Sequence, residues 1–269
     1  MGKIIGITLC FFALPVWANL FFLMPPTNLE KAGDIVFGLG YSRGEYQQSE
    51  GLEKRAYLPE LRLDARFHAR FTLSLYAFGV DTETRTQDPR QQGVSDFGAG
   101  DVLVGTWLRL NATGNQHFQW HASVQAKVPS SEAGVFGTDR TDLLLGLYAK
   151  RTGLRWFSQG VLRMDIVGRP NRTGQWDYLT LGVRGGIQTG KRWQILGEVW
   201  HRTRGSNNTT LVAVGTRFHL GEQWYGSAWA GEGDYHHYET NPDSRLKDQF
   251  SLSLSKRIES ASLARWFGG

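Results

Sequence analysis

The chain holds a single cysteine, Cys10, and only eight prolines in 269 residues. One cysteine excludes a disulfide scaffold, and the 33 glycines follow no three-residue period of the collagen kind. Uninterrupted apolar runs of about 20 residues are missing. Together with a mean hydropathy of −0.35, that excludes a helical multi-span membrane protein. It does not exclude a β-barrel, whose strands are apolar on one face only and average out as polar. Charge of one sign never gathers. Net charge is +5, yet the 22 arginines among the 30 basic residues are scattered singly along the chain. A nucleic-acid binder would cluster them, so no nucleic-acid partner is expected. No Walker, Rossmann, zinc-finger or nucleophile-elbow pattern occurs.

The first segment reads as an address. Lys3 is followed by the 11-residue apolar core Ile4–Leu14, then Pro15 and the small-flanked Val16-Trp17-Ala18. These features predict a signal peptide over 1–18, cleaved before Asn19, and export to the cell outer membrane of a Gram-negative-type envelope. An uncleaved anchor is the rival reading, because Leu20–Met24 prolongs the apolar stretch. Residues 19–33 would then form an N-terminal periplasmic segment, 34–258 the barrel and 259–269 a C-terminal tail. Cleavage would also remove Cys10.

Period two dominates the rest of the chain. In Asp34–Ser42, Ile35, Phe37, Leu39 and Tyr41 share a face. In Leu58–His68, Leu61, Leu63, Ala65 and Phe67 alternate with Glu60, Arg62, Asp64, Arg66 and His68. In His117–Val128, the apolar set from Phe118 to Val128 alternates with His117, Gln119, His121, Ser123, Gln125 and Lys127. A charge at every second position needs water or a polar lumen; the unbroken apolar face opposite needs lipid or a core. About twelve such segments can be marked. The fourth carries Leu103 and Trp107 on its otherwise polar face, the eleventh (Trp224–Ala230) is weak, and Pro59 predicts a late start or a bulge in the second.

Connector lengths separate a membrane barrel from a soluble sandwich. Long polar links (the one between strands one and two, Asp81–Ser95, Pro129–Arg140, Glu232–Lys247) alternate with tight ones (Asn111–Asn115, Arg151–Gly153, Thr189–Lys191, Gly221–Glu222). Short periplasmic turns and long extracellular loops produce that alternation. Trp107, Trp120, Trp156, Trp176, Trp193, Trp200 and Trp224 are candidates for aromatic girdles, and Phe267 for a terminal aromatic. The expected fold is an all-β, up-and-down antiparallel transmembrane barrel of about 12 strands.

Gly100–Leu110 (GDVLVGTWLRL), Ser123–Ser130 (SVQAKVPS) and Asp142–Lys150 (DLLLGLYAK) carry a resemblance. Their order resembles the outer-membrane transporter family labelled for the phenol meta-cleavage degradation pathway. Members pair a Gly-Asp strand opening with a Lys-Val/Leu-Pro strand ending and a later Asp-Leu opening. The resemblance covers roughly residues 34–258 and implies a barrel with a transport role. It brings no binding or catalytic residues with it.

Candidate site residues are the inward charges. Glu60, Arg62, Asp64, Arg66, His121, Arg163, Arg184 and Glu198 are the expected lumen-lining residues for solute contact, with Asp165, Arg202 and Arg217 on the same face. Such a set can seal itself with ion pairs or line a narrow wet pore. His121 and Ser123 form a His-x-Ser pair, as in outer-membrane phospholipases, but Val124 replaces the Asn-Gly that follows there and the parity points both inward. Glu232, Asp234, His236, His237 and Glu239 concentrate ligand types in one loop; His236 and His237 are weak metal candidates, and a solvated loop is the simpler reading. Gly185-Gly186 marks a kink or a close neighbour. The expected function is passive passage of small organic solutes, without catalytic residues or cofactor. A lipid hydrolase and a closed structural or adhesive barrel are the alternatives. Expected partners are outer-membrane lipid and lipopolysaccharide, small-molecule solutes and the barrel-assembly machinery.

Overall fold

The computed structural model describes residues 32–48, 51–86, 94–111, 117–129, 141–166, 177–204, 207–221, 223–235 and 245–259. Alternation translates directly into strands. In chain order they are β1 (Ile35–Gln48), β2 (Gly51–His68), β3 (Phe71–Thr86), β4 (Val94–Ala99), β5 (Val102–Arg109), β6 (Phe118–Val128) and β7 (Asp142–Thr152). The rest are β8 (Trp156–Ile166), β9 (Tyr178–Gln188), β10 (Trp193–Arg204), β11 (Asn207–His219), β12 (Trp224–Tyr235) and β13 (Arg245–Ile258). Each pairs antiparallel with its neighbour, and β1 pairs with β13 from Ile35↔Ile258 to Gln47↔Arg245. The sheet therefore closes into a barrel.

Thirteen strands make twelve staves. β4 and β5 both pair with β3, through Val80↔Gly98 and Tyr76↔Leu103, and form one stave broken at Gly100–Asp101. Gly100 N–H still donates to the Phe78 carbonyl at 2.9 Å. A Cβ at Gly100 would sit 2.1 Å from the Phe78 ring, so only glycine lets the chain pass there. The break turns Asp101 inward, where it is buried.

The faces fall as the parity requires. Outward Leu61, Leu63, Leu145, Leu181 and Val214 are exposed, whereas inward Asp64, Ser74, Arg163, Asp165 and Thr180 are almost fully enclosed. An apolar exterior around a charged interior is the inverse of a soluble protein and defines a transmembrane barrel. The end where β2 joins β3, β7 joins β8 and β9 joins β10 has short connections and is called the turn end; the other is the loop end.

Two expectations about the connectors and girdles change. The long link expected between the first two strands is itself strand: β1 runs on to Gln48 and β2 begins at Gly51, with Gln48↔Gly51 paired. Pro59 is accommodated by a register shift between Tyr57 and Glu60, which is the bulge its missing N–H demands. The tryptophans divide. Trp120, Trp156, Trp193 and Trp224 are exposed near the turn end with Phe67, Phe71 and Phe118, forming a girdle there. Arg151 lies 5.7 Å from the Trp156 ring centroid and Lys256 5.3 Å from that of Trp224, basic groups reaching toward water above the apolar band. Trp107 and Trp200 instead point inside and are buried. Trp176 and Phe267 lie outside the described residues.

Glycines opposite aromatics set the interior wall. Trp200 pairs across the strand with Gly182, Trp229 with Gly215 and Phe157 with Gly186. A Cβ at Gly182 would fall 2.5 Å from the Trp200 ring, and one at Gly186 would fall 2.4 Å from Phe157. Of the Gly185-Gly186 pair, Gly186 thus serves a close neighbour, whereas a Cβ at Gly185 would meet only the Phe157 carbonyl, at 3.5 Å. Gly182→Ala should overpack this contact and lower stability by about 1–3 kcal/mol. Urea titration of heat-modifiable mobility in wild type and variant measures it; an unchanged midpoint would show that Trp200 moves freely.

Candidate functional site

The site is the lumen, and its contents are layered. At the loop end, Lys127 on β6 reaches Asp142 at 2.7 Å and Asp101 at 3.4 Å, tying three staves together. Nearby, Arg163 Nε lies 2.5 Å from Asp165 Oδ1, and Arg202 extends from β10 to within 3.4 Å of Asp165 Oδ2. The Arg202 guanidinium also stacks over Tyr178 at 3.6 Å from the ring centroid. Three basic and three acidic groups meet here, so this layer is balanced.

At mid-height the pairs are cross-strand or two residues apart. Arg184 and Glu198 face each other in register and approach to 2.6 Å, with Arg184 4.7 Å from the Trp229 ring centroid. Arg62 and Asp64 are 2.7 Å apart on β2. Asp64 also accepts from Ser74 Oγ, and Ser74 in turn accepts from Trp107 Nε1 at 3.1 Å. Glu60 is buried beside Ser42 and Tyr76. Such interior pairs are held in low dielectric, where breaking one leaves an uncompensated charge.

Apolar side chains occupy the space between the ion pairs. Trp107, Tyr148, Val161, Leu196, Trp200, Leu211, Ala213 and Trp229 form one buried cluster inside the barrel. Trp107 and Tyr148 pack with centroids 4.9 Å apart. The expected uniformly polar lumen therefore needs correction: an apolar cluster contributed by β5, β7, β8, β10, β11 and β12 shares it with the ion pairs. Leu103 and Trp107, out of place on a polar face, were the signal in the sequence. β12, β13 and β1 also contribute small inward groups, among them Gly38, Gly40, Ser227 and Ser255, and Ser227 and Ser253 hydrogen-bond at 2.7 Å.

At the turn end the layer is basic. Arg66, Arg109, His121 and Lys150 occupy inward positions on β2, β5, β6 and β7 close to their turn-end termini. Arg109 pairs in register with His121. Arg217 stands within electrostatic range of Lys150, Arg184 and Arg62.

All eight sequence candidates thus point into one lumen at three heights. Arg62–Asp64 and Arg184–Glu198 are brought together as pairs, Arg163 joins Asp165 and Arg202, and Arg66 and His121 belong to the basic layer. Tyr148, Trp200, Trp229, Lys127, Asp101, Asp142, Arg109 and Lys150 complete the lining, and parity alone does not mark them for solute contact. His121 and Ser123 both lie inside, away from the exterior face. Among the described residues no group of three or more His, Cys, Asp or Glu could hold a metal. His236, His237 and Glu239 lie outside the described residues.

An even-staved, closed, up-and-down sheet with apolar exterior and ionic interior belongs to the outer-membrane barrel class. Comparison with solved structures agrees on the fold. The chain is similar to the COG4313 outer membrane channel from Pseudomonas putida F1, with a TM-score of 0.67 and 12% identity over 87% of this chain and 100% of that one. It is also similar to the NanC porin (TM-score 0.55, 9% identity, 83% and 100% covered). A third likeness is the translocator domain of the autotransporter NalP from Neisseria meningitidis (0.51, 10% identity, 85% and 90% covered). No family model and no curated protein matches the chain.

Proposed function

We propose that this protein is an outer-membrane channel for passive passage of small organic solutes. The observation that carries the reading is the lumen's mixed lining. Aromatic and aliphatic side chains and small glycine and serine positions line it together, with charges fixed in pairs along the path. That combination suits solutes with an apolar body and a few polar groups. The strand segments that resemble the phenol-pathway transporter family support a transport role without naming the solute. With this reading go short turns in the periplasm, lipid and lipopolysaccharide around the wall, and the barrel-assembly machinery upstream of insertion.

The filled interior favours one second reading, a barrel closed at rest. Trp200, Tyr148 and Leu211 show no exposure at all. A lipid hydrolase is less well supported, since its His/Ser pair would have to meet lipid and here faces inward.

Single-channel current across a planar bilayer tests the proposal. Wild type should conduct in small steps, and Trp200→Leu should raise the step by about twofold, because the indole narrows the path. Silence from both, with folding intact by heat-modifiable mobility, would overturn passage and leave the closed barrel.

A further inference from the structure

The connections at the two ends of the barrel differ in charge. At the turn end the five links, 69–70, 110–117, 153–155, 189–192 and 220–223, hold Arg70, Arg155, Lys191 and Arg192 against one acid, Glu222. At the loop end acids outnumber basic residues in the links by seven to four. The basic excess at the turn end lies where the exposed aromatic girdle meets the edge of the apolar band.

Two of these turns are bonded neighbours. The Arg155 carbonyl in the β7–β8 turn accepts from Gln188 N–H at 2.7 Å, and Thr189 N–H, one residue on, closes the β9–β10 turn on the Trp193 carbonyl at 3.1 Å. Side by side, the two turns present Arg151, Arg155, Lys191 and Arg192, all exposed. Among the described residues none of these four side chains makes an ion pair, and Arg151 rests over the Trp156 ring at 5.7 Å from its centroid. The patch therefore keeps its positive charge.

Beneath the cations the surface is apolar. Trp156 pairs across the strand with Ile187, and Ile187 with Ile195, in one outward row over three staves. These three side chains are 42%, 61% and 58% exposed, Trp193 beside Arg192 is 54% exposed, and Leu154 beside Arg155 is wholly exposed. One such leucine would need no explanation, but here it joins four other apolar side chains and four cations in a single patch. An acidic soluble protein would match the cations and leave the row of Trp156, Ile187 and Ile195 unused. A phospholipid matches both, with its phosphate level with the basic groups and its chains along the row below.

We propose that the turn end between β7 and β10 is a docking site for an anionic phospholipid, its phosphate held by Arg151, Arg155, Lys191 and Arg192 and an acyl chain laid along Trp156, Ile187 and Ile195. Guanidinium offers forked donors to two phosphate oxygens, and ammonium adds a point charge. The site is on the outside of the barrel and goes beyond passage through the lumen. It shares with that reading only the placement of the turns in the periplasmic leaflet.

Native mass spectrometry of the full chain, refolded in a non-ionic detergent, counts bound lipid directly. Phosphatidylglycerol and phosphatidylethanolamine with the same acyl chains are the probes. The first phosphatidylglycerol should bind about fivefold or more tighter than the first phosphatidylethanolamine. Arg155→Gln with Arg192→Gln should remove that preference, and Arg155→Lys with Arg192→Lys should keep most of it. Arg70→Gln with Lys256→Gln takes the same charge from other staves at the same end and should leave the preference in place. Glycerol phosphate, a headgroup without chains, should not displace the lipid. All variants are compared as folded species, verified by heat-modifiable mobility. Equal binding of the two lipids, equal loss in the Arg70/Lys256 variant, or displacement by glycerol phosphate would overturn the site. Planar-bilayer current separates it from passage. Lipid preference in a silent barrel keeps the site and overturns passage; current through a barrel without lipid preference does the reverse.

Discussion

Asp165→Leu should abolish, or nearly abolish, recovery of the folded barrel. Asp165 is fully buried between Arg163 and Arg202, themselves almost fully buried. Removing the carboxylate leaves two guanidinium groups facing each other without their shared counter-charge. Breaking a buried ion pair by deleting one partner costs about 3–5 kcal/mol. The neutral triple variant, Arg163→Met with Asp165→Leu and Arg202→Met, should regain most of that loss, since no unpaired charge remains. The measurement is the urea midpoint of the heat-modifiable band in refolded samples. A single variant as stable as wild type would mean that water already reaches this layer and solvates the arginines.

Leu63→Arg should be the next most damaging change. Leu63 projects outward at 39% exposure between inward Arg62 and Asp64. An arginine on the lipid face near the midplane costs about 2–4 kcal/mol. Its neighbour behaves differently from what a wide, wet lumen would allow. Charge reversal at Arg62 would be harmless if water could surround the new carboxylate, but Arg62 is buried and lies 2.7 Å from Asp64. Arg62→Glu would line up acids at 60, 62 and 64, and should itself impair folding. Refolding yield in detergent and in bilayers discriminates the two. Leu63→Arg should fail mainly in bilayers, where lipid must surround it, and Arg62→Glu in both. Equal yields of Leu63→Arg in both media would show that residue 63 does not meet lipid.

Much of this architecture is legible in the sequence because membrane barrels encode their faces by parity. Alternation in Leu58–His68 assigns Glu60, Arg62, Asp64 and Arg66 to the interior, and the structure places them there. The stave count follows from the same pattern, although Gly100–Asp101 divides one stave in a way that no periodicity marks. Parity says which face a residue takes but not what fills the space beyond it. Trp200 and Tyr148 are as easily read as membrane-interface aromatics as interior ones. Their burial depends on cross-strand partners, Gly182 for Trp200, and that pairing is fixed by register between segments separated in sequence. The basic turn-end layer is hidden for the same reason. Arg66, Arg109, His121 and Lys150 are widely spaced along the chain and come to one height only when successive strands pair.

The staves are also unequal in height. β1, β2 and β3 hold 14, 18 and 16 residues, against 11 in each of β6, β7, β8 and β9. Since the girdle holds their turn ends level with the rest, the surplus rises at the loop end. At about 3.3 Å per residue, a surplus of three to seven residues along a tilted strand raises that side by about 8–18 Å. Among the described residues, the strands of the β1–β3 flank therefore rise higher than those of the β6–β9 flank.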